Sequence, residues 1–430
     1  MFNSKSFIVS FLPAILVFSS CSDTITNYYD KHTTIIDSLR WDNYKDIADI
    51  VTDVPSSIFT YSEMSSLQRG TIMKLRVNRE DYQVWEVDVV FDALYREGSE
   101  RLILCHTPSV FPIGAGDSGS PLLTPEGKVA GILCYGYYGN SNDFAARAIE
   151  DVINIDGSTA ASGSNSGLFT VIQPLYITTG LNKEAAERYP SIKSLIEKST
   201  ITKENPVQNK QGFFKTSQNL TIPGSSIAII YVSGDFVLAG AVGTISYFLN
   251  EKIYAFGHEY LTFAAAPAYL ASAKSFISSY DRSIKMAEPS NELVGSFVKN
   301  HYNGILIDRN AVPQVVKLNT ICSIKGENIF SYNHQLSNSL NFDSDVITSS
   351  DLSCYLIYLR ALESNNLSNI NMKANCNLEI ITDKDSFAVP FFVEGQGIDW
   401  AIYSYISQNI QFNDNERRLM NFNLTVSLSY

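Results

Sequence analysis

The chain has 430 residues, 45% hydrophobic and 18% charged, a composition that excludes a disordered or simple repeat protein and leaves room for two or three packed cores. With 44 acidic against 32 basic residues the formal net charge is -12, which argues against a nucleic-acid surface because such a chain repels phosphate. No Lys/Arg cluster overrides that balance.

The N-terminal MFNSKSFIVSFLPAILVFSSC has one lysine, an apolar run from Phe7 to Phe18, and small residues before Cys21, the layout of a bacterial export signal. The run is short for a bilayer span. Small residues directly before a cysteine resemble the lipobox of bacterial lipoproteins, so Cys21 is expected to become the lipidated first residue and tether the chain to a membrane of the cell envelope, on its periplasmic or outer surface. Phe18 stands where an aliphatic residue is usual, which leaves ordinary cleavage at Ser20 as the alternative. The remaining cysteines, Cys105, Cys134, Cys322, Cys354 and Cys376, are odd in number and lack Cys-x-x-Cys spacing, which argues against a disulfide framework or a zinc site. Cys105 and Cys134, on strand-like runs either side of Ser118, are expected as buried thiols, with one disulfide between neighbouring strands as the alternative.

Residues 22–57 are polar and mixed, and read as a tether. A first β-unit is expected over 58–199. In it Thr71 to Val77 is a short strand, Val84 to Asp92 alternates with Trp85, Val87, Val89 and Phe91 on one face, and Arg101 to Cys105 is a further apolar run. Phe111 to Tyr138, FPIGAGDSGSPLLTPEGKVAGILCYGYY, is the most informative stretch: a Gly-rich turn, then two apolar runs around a polar turn. Asp156 to Gly167 reads as a mobile loop, and Asn182 as the N-cap of a helix interrupted at Pro190. A second β-unit, 200–311, contains a hairpin of Thr244 to Leu249 and Lys252 to Phe256 about Asn250 and Glu251, with His258 immediately beyond it. A C-terminal α+β accessory unit, 312–430, has one helix carrying Leu352, Leu356 and Leu359, a second over Ile398 to Ile406, and a final alternating strand from Met420 to Tyr430.

A serine is inert as a nucleophile unless a base takes its proton and N–H groups face the developing oxyanion. Glycines at 114, 116 and 119 allow the turn around Ser118 to aim the amides of Gly116, Asp117 and Ser118 at one spot, as GDSG stretches do in chymotrypsin-like serine proteases. The plain alternative is a Gly/Ser/Pro loop, disfavoured by the strand pattern that follows. The base must come from His32, His106, His258, His301 or His334, or from a lysine; none of the histidines has metal-site spacing. His258 is the best placed, projecting from a Gly-His turn, whereas His106 can equally be a surface residue. Asp235, in a turn of the same unit, is the first choice for a third member that orients the imidazole; Asp117, Asp92 and Asp308 are rivals, and each can instead cap a turn.

Five blocks in order, GDSGSPLLTPEGKVAGILCYGY with the later ARAIEDVI, Pro223 to Ser225, Gly234 and Asp235, Gly243 to Ser246, and AFGHEYL at Ala255 to Leu261, make residues 70–320 resemble the SpoIVB peptidase family of sporulation stage IV protein B-like serine peptidases. The chain departs from that family at Asp117, at Glu259 and Tyr260, and at Asn300 and His301. The resemblance implies a serine endopeptidase with Ser118 as nucleophile and His258 as general base, no cofactor or metal, and a protein or peptide substrate. The expected fold is mainly β with some α: trypsin-like β-barrel units in permuted order, plus the accessory unit. The competing expectation is a non-catalytic binding or scaffolding lipoprotein of the same fold. A serine esterase is weaker, since Pro121 and a hairpin follow Ser118 where a nucleophile elbow needs a helix.

Overall fold

The computed structural model describes residues 48–55, 57–107, 113–114, 116–137, 140–154, 169–172, 175–198, 201–203, 221–259, 266–277, 283–339, 341–410 and 417–430. The expected signal segment with Cys21, the 156–167 loop and Tyr260 lie outside them.

Period-two alternation makes most of the chain strand. The first unit comprises β1 (Ala48–Val51), α1 (Tyr61–Met64), β2 (Ile72–Asp81), β3 (Gln83–Glu97), β4 (Glu100–His106), β5 (Pro121–Leu123), β6 (Val129–Tyr137), β7 (Asn140–Ala148) and α2 (Ile149–Ile153). Antiparallel pairings run β2–β3–β4–β7–β6–β5 and back to β2, which closes a six-strand barrel. Trp85, Val87, Val89 and Phe91 fill its interior with Met73, Leu75 and Val77, as the alternation predicts. Each such side chain contributes about 1.5–3 kcal/mol of burial free energy. Cys105 joins that interior while Cys134 packs in a separate cluster with Leu102 and Tyr135, and all five described cysteines are buried free thiols. The expected tether needs correction at its end: β1 pairs with β3, and Asp53 holds Arg76 at 2.9 Å, because a buried guanidinium on β2 requires a carboxylate.

Next come β8 (Phe169–Val171), β9 (Leu175–Thr179), α3 (Lys183–Ala186), α4 (Pro190–Lys198), β10 (Ile201–Lys203), β11 (Ser226–Gly234), β12 (Leu238–Leu249), β13 (Lys252–Ala255), β14 (Pro267–Ile277), β15 (Ser283–His301) and β16 (Gly304–Asp308). Pairings run β11–β14–β15–β16–β13–β12 and return to β11, a second antiparallel ring. The hairpin about Asn250 is present, with φ +55 at that asparagine, a conformation its short polar side chain tolerates. The strand β9, which the sequence assigns to the first β-unit, pairs instead with β12.

The remainder is β17 (Val315–Ile324), β18 (Glu327–Ser337), α5 (Phe342–Ile357), β19 (Met372–Thr382), β20 (Ser386–Gly395), α6 (Ile398–Asn409) and β21 (Leu419–Ser429). Strand order is β18–β17–β21–β19–β20, with β17 and β21 parallel. In β21 Phe422, Leu424, Val426 and Leu428 are buried as expected, but Met420 and Tyr430 are exposed. A register shift between Ile381 and Thr382 on β19 takes Met420 out of phase. Asn182 caps α3 through Ala185 N at 2.9 Å, and Pro190 opens α4, where its missing N–H costs nothing. The helix pair α3 and α4 sits on the C-terminal helices: Tyr189 donates to Asp399 at 2.5 Å, and Ser191 N to Asp351 at 2.9 Å. One apolar cluster therefore joins α3, α4, the second barrel and the C-terminal sheet.

Candidate active site

The serine turn lies where the two barrels meet. Gly119 has φ +92, and a Cβ there would fall 2.5 Å from Thr244 O and 2.6 Å from Phe256 N, so backbone packs directly on backbone. Around it Gly119 N donates to Leu133 O at 2.8 Å, and Thr244 N donates to Ser118 O at 3.1 Å. Gly257, at φ +70, comes equally close, since a Cβ on it would meet Leu133 O at 2.7 Å. The Ser118 turn and the Phe256–His258 turn thus converge on one point of β6.

Ser118 is wholly buried, and its hydroxyl donates to the carbonyl of Phe256. Phe256 itself has φ +72, a left-handed conformation that is a true outlier for a bulky side chain and costs on the order of 1–3 kcal/mol. Within the turn, Asp117 N donates to Gly114 O at 3.1 Å, whereas among the described residues the amides of Gly116 and Ser118 make no hydrogen bond. Of the three expected oxyanion donors, Asp117 is therefore already committed and Gly116 and Ser118 are available. The Asp117 carboxylate accepts from Gly114 N at 3.0 Å and pairs with buried Arg79 at 2.8 Å, a role in shaping the turn.

His258 is buried, and its Nδ1 lies 2.7 Å from Glu259 O. A carbonyl only accepts, so Nδ1 carries the proton and Nε2 keeps its lone pair. That Nε2 has no hydrogen-bond partner among the described residues, although the Ile172 backbone also faces the ring. Burial, helped by the positive charge of Arg147, pulls the imidazole pKa down to about 4, so it is neutral at pH 7. Arg147 of β7 braces this corner by donating to Gly257 O at 2.9 Å and Tyr302 O at 3.1 Å, while Glu100 balances its charge.

No protein-family model, curated protein or solved structure matches this chain.

The expected third member is not brought to His258. Asp235 accepts from Asn333 N at 2.8 Å and neighbours His334, because β11 pairs with β18 and turns the 234–235 corner toward the C-terminal sheet. His334 is a buried structural imidazole whose Nε2 accepts from Phe236 N at 3.3 Å and Val237 N at 3.1 Å. Among the rivals, Asp92 pairs with His106 Nδ1 at 2.6 Å, and Asp308 accepts from Asn310 N at 2.8 Å in a turn. His301 Nδ1 accepts from Asn303 N at 3.2 Å. Among the described residues no group of His, Cys, Asp or Glu could hold a metal ion, and no helix is long and apolar enough to cross a membrane.

One site residue escapes sequence reading altogether. Lys285 of β15 is buried, and its Nζ donates to Thr244 Oγ1 at 2.7 Å, which in turn donates to Gly116 O at 3.0 Å. Its stem runs beneath the serine turn, so that a Cβ on Gly116 would lie 3.0 Å from Lys285 Cβ. Burial lowers its pKa to about 7, with Asp117 opposing and Arg79 reinforcing the shift. The local sequence SIKMAE carries no signal of this; a lysine is only one of the residue types that can serve a serine.

Proposed function

We propose that the chain is a serine endopeptidase, anchored by lipid at Cys21 to the bacterial envelope and cleaving a protein or peptide substrate there. The observation that carries the reading is the convergence of the Ser118 turn and the Phe256–His258 turn on Leu133 of β6, in a serine turn whose Gly116 and Ser118 amides make no hydrogen bond among the described residues. In the mechanism Ser118 rotates its hydroxyl from the Phe256 carbonyl to His258 Nε2, which takes the proton as Oγ attacks the scissile carbonyl. The Gly116 and Ser118 amides receive the oxyanion, and His258 returns the proton to the leaving amine. Water then hydrolyses the acyl-enzyme by the same base. Glu259 O, rather than a carboxylate, holds the imidazole tautomer. Because Ser118 is wholly buried, turnover requires the two turns to part, which suits regulated cleavage better than digestion.

The same burial favours a second reading, a non-catalytic scaffold in which Ser118 is a structural residue satisfied by the Phe256 carbonyl. Labelling of purified residues 22–430 with a fluorophosphonate separates the two. A peptidase takes the label in the wild type and in Ser120→Ala but not in Ser118→Ala or His258→Ala. A folded wild-type protein that takes none is a scaffold, and partner capture becomes the assay of its role. Metabolic palmitate labelling, lost in Cys21→Ser, tests the anchor.

A further inference from the structure

The chain of hydrogen bonds under the serine turn has a direction that depends on one proton. Lys285 reaches it from β15 and Thr244 from β12; the charged groups facing the Lys285 amine are Asp117 in the turn and Arg79 on β2. An ammonium only donates, so Thr244 Oγ1 must accept from it and direct its own hydrogen to Gly116 O. A neutral amine has a lone pair and can accept that hydrogen instead, which frees the Gly116 carbonyl. The peptide unit concerned carries Asp117 N, bonded to Gly114 O, so it is the unit that shapes the turn between the two uncommitted amides.

We propose that Lys285 is a positioning residue of the Ser118 turn, whose protonated form fixes the Lys285–Thr244–Gly116 chain and so holds the Gly116 and Ser118 amides in place for an oxyanion. The proposal rests on the peptidase reading for its consequence, though not for the chain itself. A lysine pKa near 7 makes the switch operate near neutrality. Reactivity of Ser118 then has an alkaline limb that belongs to Lys285, while the acid limb belongs to His258.

The test is the rate of fluorophosphonate labelling between about pH 5.5 and 9 in the wild type, Lys285→Met, Thr244→Val and the double variant. Each single variant is expected to label about tenfold more slowly, the double variant no more slowly than Thr244→Val, and the alkaline limb to vanish with Lys285. Additive losses, or a limb that persists in Lys285→Met, overturn the proposal. Thr244→Val retains the shape of the site and carries the test alone if Lys285→Met does not fold: the limb must move. A readout independent of activity is the NMR titration of 13Cε-labelled lysine, with the Lys285 signal identified by its loss in Lys285→Met. Its midpoint is expected near 7 and should fall in Thr244→Val, which removes the acceptor of the ammonium; an unchanged midpoint overturns the chain. Should the folded wild type take no label, the peptidase reading falls, and this titration alone decides whether Lys285 and Thr244 are coupled.

Discussion

The hydroxyl of Ser118 donates to the main-chain carbonyl of Phe256, two residues ahead of His258 in the chain. Ser118 and His258 are thereby brought to one corner without a bond between them. If that corner is catalytic, His258→Ala should slow fluorophosphonate labelling of Ser118 by about 100-fold or more, the scale of a lost general base. Asp235→Asn should leave the rate within about threefold, because that carboxylate serves Asn333. Second-order labelling rates at neutral pH check both.

Gly119→Ala should destabilise the protein by about 3 kcal/mol or more, since a Cβ meets two backbone atoms of the second barrel and φ is +92. Gly127→Ala is the matched control. That glycine also has positive φ, +77, but faces open space, so its cost should stay near about 1 kcal/mol. Urea unfolding of both variants measures the difference.

Arg147→Met should cost about 3–5 kcal/mol, because it strands the buried Glu100 carboxylate and removes the donor to Gly257 and Tyr302. Adding Glu100→Gln should recover a large part of that loss. Equilibrium unfolding of the two variants tests whether the pair acts as a unit. Loss of the guanidinium should also raise the His258 pKa, since its charge helps hold it down.

Stability should fall with acid in a defined window. His258 and His334 have folded pKa values near 4 against an ordinary 6.5, so the unfolded chain binds more protons between those values. Their contribution is complete above pH 6.5, declines as the pH falls toward 4, and amounts to about 3 kcal/mol for each imidazole. For His334 burial is the main cause, opposed by Asp235, and the hydrogen bonds add to it: Nε2 accepts two amide hydrogens and cannot be protonated without losing both. His334→Gln should reduce the slope of stability against pH by about one proton, as measured by urea midpoints across the window.

The barrels were legible because alternation is a local property: Trp85, Val87, Val89 and Phe91 face inward wherever their strand pairs. The serine turn was legible because Gly116 and Gly119 need conformations that only glycine adopts readily. Asp235 misleads because an acid in a GD turn looks the same whichever histidine it faces, and the β11–β18 pairing that decides the matter spans about a hundred residues. Lys285 was invisible for the related reason that its environment is supplied by Gly116, Asp117, Thr244 and Arg79, none of them near it in sequence. The expectation of a tether as far as residue 57 fails at its end because Ala48–Val51 form β1 and Asp53 adds a second carboxylate to Arg76, and both are recognised only once β3 is in place.

The turn that carries Ser118 is finished by residues that come much later in the chain, 128 positions on for the Gly116–Thr244 bond and 138 for the Ser118–Phe256 bond. Contacts of such sequence separation close slowly, after local hairpins such as β5–β6 have formed. The first barrel can therefore acquire its shape while its serine still lacks surroundings. On the peptidase reading proposed above, the reactivity of Ser118 would therefore arise late in folding, and a partly folded molecule would carry the motif without the means to use it.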